Sequence, residues 1–310
     1  MITIQKFKKF FQSHFLAVIP LVIICLVGVL FFIDVSIKYE TVLLTPLSFP
    51  LPSFIPSDYP VLSIIRNPVL TAESAILVDD SSKVILYEKN PGLLISPAST
   101  TKIMTALIAL NYFKLTDILI VQHPLIDPVV MGFYKGQQVT FENLLYAMML
   151  PSANDAALTI ADNYPGGEPA FVAAMNEKAQ RLHLNHTHFA DPIGLLDDGD
   201  YTTVIDLSRL TSIAIQNPIF AQVVNTKYYT VKTVEGASFP VKNLNELLGT
   251  YGVNGVKTGY TAEAKQVLVT SIVRDGHTYI SVVMGSDDRF VDTRLLLPLL
   301  SKVTFQSMHL

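Results

Sequence analysis

A serine and a lysine three positions apart, Ser99 and Lys102, have the types and the spacing that nucleophilic catalysis needs. An apolar run begins directly after them at Ile103, so the pattern predicts that both lie on one face of the first turn of a helix. In that geometry an uncharged lysine amine can take the proton of the serine hydroxyl, which is a poor nucleophile at its own pKa. Taken alone, however, a Ser-x-x-Lys pair on a helix is usually two solvated side chains.

Two further short motifs follow in a fixed order, and each occurs once in the chain. Ser152-x-Asn154 comes directly after an apolar run, and Lys257-Thr258-Gly259 leads into a β-rich run. With these three motifs the chain resembles the penicillin-recognising serine peptidases. More narrowly, it is similar to the serine-type D-alanyl-D-alanine carboxypeptidases, the low-molecular-mass penicillin-binding proteins of the β-lactamase/transpeptidase-like superfamily. The resemblance extends from about residue 73 to about residue 300.

Amide hydrolysis through an acyl-enzyme needs a nucleophile, a base, a proton path to the leaving amine and donors for the oxyanion. We assign Ser99 as the nucleophile and Lys102 as its general base. The pKa of a lysine, about 10.4 in water, must fall by about three units for this role, and we expect burial and the nearby charge of Lys257 to cause the shift. Ser152 is expected to relay a proton to the leaving group, and Asn154 to orient Lys102 and the substrate amide.

A carboxypeptidase must also recognise the terminal carboxylate of its substrate. Lys257 and Thr258 are suited to this role, and the resemblance adds Arg289. The alternative interpretation of Arg289 is a surface residue at the start of a helix, without a role in binding. The resemblance also implies that the oxyanion hole consists of the backbone N–H groups of Ser99 and Tyr260. The predicted substrate-binding residues are therefore Lys257, Thr258, Gly259, Tyr260 and Arg289.

Two segments depart from the pattern of this family. Ile193 stands where histidine is frequent, and Lys265 and Gln266 follow Ala264 where many relatives have glycine. Both segments are predicted to lie near the rim of the site. They therefore bear on substrate range and turnover rather than on the identity of the nucleophile.

The composition excludes several classes of protein. The 310 residues carry a net charge of −4 without any block of basic residues, so nothing points to nucleic acid. The one cysteine, Cys25, lies in the apolar N-terminal run, which excludes a disulfide within one chain and argues against a thiolate metal site.

Three histidines, His183, His186 and His188, are close enough in sequence to be weighed as zinc ligands. We expect structural roles for them, because no acidic residue is spaced as in a zinc-peptidase helix, and we predict neither a metal nor another cofactor.

The N-terminal segment has the length and hydropathy of a membrane span. Residues 15–33 contain no charged residue, and as a helix they would extend about 28 Å, enough to cross a hydrocarbon core. Three lysines precede this run, so we predict that residues 1–14 stay in the cytoplasm, that residues 15–35 form a single-pass anchor in the cell membrane, and that the rest is extracytoplasmic. A cleaved signal peptide is the competing interpretation, but its apolar core usually has about 7–15 residues and ends in a small-x-small site.

Residues 36–68 are rich in proline, and residues 69–310 are predicted to form the catalytic domain. The prolines between residues 46 and 60 occur without any helical or strand period, which is typical of a stiff tether. Apolar residues among them favour a second interpretation about equally, an N-terminal strap packed on the domain.

Periodicity and turn signals predict strands at both ends of the catalytic domain and helices between them. Hairpins are predicted over 74–87 and 267–284, strands over 228–234 and 238–241, and helices over 99–113, 139–150, 168–182, 201–216 and 289–300. This order favours an α+β fold in one discontinuous domain. The family resemblance implies the same architecture, an antiparallel β-sheet flanked by helices with an inserted all-helical lobe.

Together, the residues and the resemblance predict an exported serine D,D-carboxypeptidase that removes the terminal D-alanine from peptidoglycan stem peptides. Its predicted partners are these peptides, β-lactam antibiotics that acylate it, and the membrane lipid bilayer. A D,D-endopeptidase that cuts cross-links uses the same residues and stays open as an alternative. A β-lactamase is disfavoured because the chain has no Glu-x-x-Leu-Asn segment for fast deacylation. A non-catalytic cell-wall-binding protein is disfavoured because all three motifs are present.

Overall fold

The structure is a computed structural model that describes residues 58–63, 67–125, 127, 129–195 and 199–307. Its strands are β1 Asp58–Leu62, β2 Ser74–Asp79, β3 Ile85–Lys89, β4 Ile118–Ile120, β5 Gln138–Thr140, β6 Tyr228–Lys232, β7 Ser238–Lys242, β8 Val253–Thr261, β9 Lys265–Arg274, β10 His277–Ser286 and β11 Val303–Ser307. Its α-helices are α1 Lys102–Tyr112, α2 Phe141–Met149, α3 Asn154–Asp162, α4 Gly167–Arg181, α5 Val204–Ala214, α6 Pro218–Val224 and α7 Arg289–Leu296. Two 3-10 turns, Ala98–Thr101 and Leu297–Lys302, precede α1 and follow α7.

A five-stranded antiparallel sheet with the strand order β3-β2-β10-β9-β8 forms the centre of the domain. The two predicted hairpins correspond to β2–β3 and β9–β10. Alternate side chains of β2 enter different cores, because successive residues of a strand point to opposite faces. Ile76 and Val78 pack with the helices between β3 and β8, whereas Ala75 and Leu77 pack in the cluster that contains Leu296 of α7. The predicted antiparallel sheet flanked by helices is therefore confirmed.

The lobe inserted between β3 and β8 contains α1 to α6 and carries most of the larger core. The helix predicted over 201–216 is α5, which begins at Val204, because the Thr203 side chain caps it by accepting a hydrogen bond from the backbone N–H of Asp206. The prediction that this lobe is all-helical is wrong. Two short antiparallel pairs lie within it: β6–β7, which corresponds to the strands predicted over 228–234 and 238–241, and β4–β5, which was not predicted. Strands of only three residues, such as β4 and β5, are too short to produce a periodic sequence signal.

The first strand of the domain lies in the segment predicted as a linker. β1 pairs antiparallel with β11, with Tyr59 opposite Gln306 and Pro60 opposite Phe305. The described fold therefore includes residues 58–62 of the segment predicted as a linker. Proline is tolerated here because each strand of a two-stranded sheet has a free edge, where a missing N–H breaks no ladder bond.

The predicted cytoplasmic segment 1–14, the anchor 15–35 and the linker up to residue 57 lie outside the described residues. Within residues 58–307, apart from the short gaps, no helix is both long enough and apolar enough to cross a membrane. The predictions for the N-terminal segments remain predictions.

Candidate active site

Ser99 lies in the 3-10 turn that directly precedes α1, rather than in the helix itself. Two glycines approach this turn closely, and at Gly194 no other residue type would fit. A Cβ atom on Gly194 would lie 2.0 Å from the carbonyl oxygen of Ala98, and one on Gly259 would lie 3.3 Å from the backbone nitrogen of Ser99. The turn is therefore held between β8 and the loop that carries Gly194.

Lys102 is completely buried at the start of α1, and its Nζ atom has three partners. Nζ lies 3.0 Å from Ser99 Oγ, 2.8 Å from Asn154 Oδ1 and 2.7 Å from the carbonyl oxygen of Ile193. An uncharged amine has two protons and one lone pair. Because both carbonyl-type oxygens can only accept hydrogen bonds, they take the two protons, and the lone pair is left for the hydroxyl of Ser99.

The surroundings of Lys102 set its protonation state. Burial lowers the pKa of Lys102 to about 7, while the carboxylates of Asp191 and Asp127 oppose the shift. Burial is thus the main cause, as predicted, but the two carboxylates were not anticipated. The expected effect of Lys257 on Lys102 is not among the causes of this shift. The repulsion between the two amines instead adds to burial in lowering the pKa of Lys257.

The second motif forms the tight turn that leads into α3. Ser152 has a φ of 69°, which is an unusual backbone conformation for a serine. Its Oγ atom is buried and has no hydrogen-bond partner within the described part of the chain. A strained backbone and an unsatisfied polar atom in one residue are features that cluster at functional positions. Asn154 is the first residue of α3, and its side-chain oxygen accepts a hydrogen bond from Lys102.

The third motif lies on β8, the edge strand of the central sheet that packs against the turn containing Ser99. Lys257 and Thr258 are both buried, and Lys257 Nζ donates a hydrogen bond of 2.9 Å to the carbonyl oxygen of Thr258. Burial is the first cause that lowers the pKa of Lys257 well below its ordinary value, followed by repulsion from Lys102 and Arg289. A carboxylate bound beside this amine would favour its charged form.

Arg289 is the first residue of α7, and its guanidinium reaches β8 as the resemblance implies. Nη1 donates a hydrogen bond of 2.8 Å to the carbonyl oxygen of Gly259, and Nε is buried without a partner among residues that the structure describes. Tyr260 follows on β8 with a side chain that is 63% exposed. The predicted site residues thus come from three distant motifs and the start of α7.

Three residues that contribute to the site were not predicted as part of it. Ile193 was expected at the rim, but it is 8% exposed, and its carbonyl oxygen accepts from Lys102. Asp191 fixes this loop, because its carboxylate accepts hydrogen bonds from the backbone N–H groups of Ile193 and Leu195. The sequence Asp-Pro-x-Gly at 191–194 is a turn signal that could have identified the loop. No comparable signal marks Asp127, which contacts Asn154.

The three histidines weighed as zinc ligands have separate surroundings. His188 Nδ1 lies 2.9 Å from the carbonyl oxygen of Gly199, and the backbone N–H of His186 donates to the Asp206 carboxylate. Throughout the part of the chain that is described, no group of three or more His, Cys, Asp or Glu side chains is arranged to hold a metal ion.

Comparison with known proteins gives relatives of one kind. The chain is 36% identical over 242 residues to a D-alanyl-D-alanine carboxypeptidase of Streptomyces sp. (strain K15), a match that covers 72% of this chain and 83% of the relative. It is 32% identical over 223 residues to a D-alanyl-D-alanine carboxypeptidase of Bacillus subtilis, covering 69% of this chain but 57% of that protein. A D-alanyl-D-alanine endopeptidase of Pseudomonas aeruginosa is 33% identical over 207 residues, covering 64% of this chain and 66% of the relative.

A solved structure matches the fold as well as the sequence. The crystal structure of the Streptomyces K15 DD-transpeptidase has a TM-score of 0.71 and 34% identity to this chain, over 77% of this chain and 98% of the other. The model of the D-alanyl-D-alanine carboxypeptidase family, peptidase family S11, matches residues 63–288. This range includes eight of the nine predicted site residues, and Arg289 lies directly after it. The chain therefore belongs to the D-alanyl-D-alanine carboxypeptidase family of serine peptidases.

Proposed function

We propose that the protein is a serine D,D-carboxypeptidase that removes the terminal D-alanine from peptidoglycan stem peptides through an acyl-enzyme on Ser99. The observation that carries this proposal is the contact of 3.0 Å between Ser99 Oγ and the Nζ atom of a buried lysine with a pKa of about 7. The names of the relatives support the substrate class.

Acylation begins when the lone pair of Lys102 takes the proton of the Ser99 hydroxyl. The Oγ atom attacks the carbonyl carbon of the penultimate D-alanine, and the carbonyl oxygen becomes an oxyanion next to the backbone N–H groups of Ser99 and Tyr260. The C–N bond then breaks, and the leaving amine receives a proton from Lys102 through the Ser152 hydroxyl. Free D-alanine leaves, and water later hydrolyses the ester and restores the serine.

Recognition of the substrate carboxylate is assigned to Lys257, Thr258 and Arg289. In the free protein, burial lowers the pKa of Lys257, so this amine gains its charge most readily when an anionic group arrives beside it. The Nε of Arg289, which is buried and has no partner among the described residues, provides a second donor at the same end of β8. An anion is therefore favoured there over a neutral peptide continuation, which supports a carboxypeptidase.

Intact-mass measurement after treatment with a penicillin tests this proposal. We expect one added penicillin per chain, which peptide mapping places on Ser99, and no addition in Ser99→Ala. Ser301→Ala is the matched control, since this exposed serine hydroxyl bonds only a neighbouring carbonyl group. Labelling that persists in Ser99→Ala would refute the nucleophile, and a wild-type protein that is never labelled would favour a non-catalytic wall-binding protein.

Endopeptidase activity on cross-linked peptides is the second candidate, and the name of the Pseudomonas relative is the observation that favours it. Purified muropeptides of known structure separate the two activities. A pentapeptide monomer that loses one D-alanine supports the carboxypeptidase, whereas cleavage of cross-linked dimers with an intact monomer supports the endopeptidase.

We further propose that the enzyme is exported and held at the cell membrane by residues 15–35, with residues 36–57 as the tether to the catalytic domain. The uncharged run and the preceding lysines support this layout. In cells, the full chain should remain in the membrane fraction after a high-salt wash and should keep its original N-terminus. A shortened N-terminus with release of the protein would instead identify a cleaved signal peptide.

A further inference from the structure

A short loop on the far side of Asn154 contacts this residue through both its side chain and its backbone. Asn154 Nδ2 donates a hydrogen bond of 3.1 Å to Asp127 Oδ1, and the backbone N–H of Asn154 donates one of 2.8 Å to the carbonyl oxygen of Val129. The two residues also contact each other, because the N–H of Val129 donates to the same Asp127 oxygen at 2.7 Å. Asp127 thus has one partner in its own loop and one in the active site.

The contact with Asp127 decides which way the amide of Asn154 points. An ionised carboxylate can only accept hydrogen bonds, so the NH₂ group of Asn154 must face Asp127 and its oxygen must face Lys102. With the amide reversed, its NH₂ group would face the amine and donate to the lone pair. The lone pair would then be unavailable to the hydroxyl of Ser99.

We propose that Asp127 is a positioning residue for the general base: by holding the amide of Asn154 in one orientation, it directs the lone pair of Lys102 toward Ser99. Asp127 acts through Asn154 rather than on the substrate. This inference rests on the proposed acylation of Ser99, and it adds to the three motifs a residue that none of them contains.

The carboxylate of Asp127 has a second effect that can be separated from the first. Its negative charge raises the pKa of Lys102 against the effect of burial, as does the charge of Asp191, while Lys102 and Lys257 repel each other when both amines are charged. Asp127→Asn removes the charge but keeps an oxygen that can accept from Asn154. Asp127→Ala removes both the charge and the acceptor.

The test is the single-turnover rate of acylation by a fluorescent penicillin at saturating concentration, measured from pH 5 to pH 9. In Asp127→Ala we expect the plateau rate to fall at least about tenfold, because the orientation of the amide is lost. In Asp127→Asn we expect a plateau close to that of the wild type, with the acid limb moved to lower pH. Asp162→Asn is the matched control, since this carboxylate contacts the exposed His123 ring and not Asn154.

A double-mutant cycle separates positioning from a general loss of structure. Asp127→Ala should cause no further loss of rate in an Asn154→Ala background, if it acts only through that amide. An equal loss in both backgrounds, or an unchanged plateau in Asp127→Ala, would overturn the inference. If the wild-type protein is not acylated at all, the proposed function fails first and the inference falls with it.

Discussion

The pKa of Lys102 predicts a steep loss of acylation rate below neutral pH. With a pKa of about 7, about half of these amines are uncharged at pH 7, whereas a solvated lysine would be uncharged in about one molecule in 3,000. Burial therefore raises the fraction of competent base by about three orders of magnitude. At pH 5 only about 1% of the amines remain uncharged, so the rate should fall about 100-fold below its plateau.

Single-turnover acylation at saturating penicillin isolates this titration. The carboxylate of the bound penicillin favours the charged form of Lys257, so we expect the titration of Lys102 to dominate the acid limb. The rate should rise about tenfold per pH unit below pH 6 and level off above pH 8. Lys102→Arg should show no plateau, because a guanidinium stays protonated. A rate that begins to rise only above pH 9, or one that is constant from pH 5 to pH 8, would refute the assignment of Lys102 as the base.

Three substitutions test the surroundings of the site. Gly259→Ala places a methyl carbon 3.3 Å from the Ser99 nitrogen, so the acylation rate measured by stopped flow should fall about tenfold. Gly92→Ala is the control, because no atom lies within 4 Å of the added methyl group, and its acylation rate should equal that of the wild type. Arg289→Leu should raise KM about tenfold for a peptide with a free terminal carboxylate and leave a C-terminally amidated peptide unaffected. Asp292→Ala removes a buried acceptor of four hydrogen bonds and should lower the free energy of unfolding by about 3 kcal/mol in urea titrations. Unchanged values in these assays would contradict the corresponding contact.

Elements with a strong local signal were predictable from the sequence. The hairpin predicted over 267–284 is β9–β10, joined at Asp275-Gly276, and the helix predicted over 168–182 is α4, Gly167–Arg181. The three motifs were recognisable because each has a fixed internal spacing, whereas their convergence in space followed from the family resemblance and not from the spacing. In these cases the information lies within a few residues of the chain.

Contacts between distant segments and contacts made by the backbone were not predictable in this way. β1 was missed because its partner, β11, lies at the other end of the domain, and because Pro60 argued against a strand. At position 193 it is the main-chain carbonyl that contacts Lys102, so the departure from the family's usual side chain leaves this contact in place. Asp127 was missed because an isolated acidic residue in a loop carries no signal until the fold brings it to Asn154.

The site combines two buried lysines, both of which destabilise the folded chain when they are charged. Lys102 has a lower pKa in the folded chain than in the unfolded one, so the folded chain binds fewer protons between pH 7 and pH 10.5, and stability rises with pH across that window. The loops around these amines are held by carboxylates that accept backbone N–H groups. Asp155 bonds the N–H groups of residues 131–133, and Asp191 bonds those of residues 193–195. Acidic residues outside the three motifs therefore give the base the rigid surroundings that an uncharged, directed amine requires.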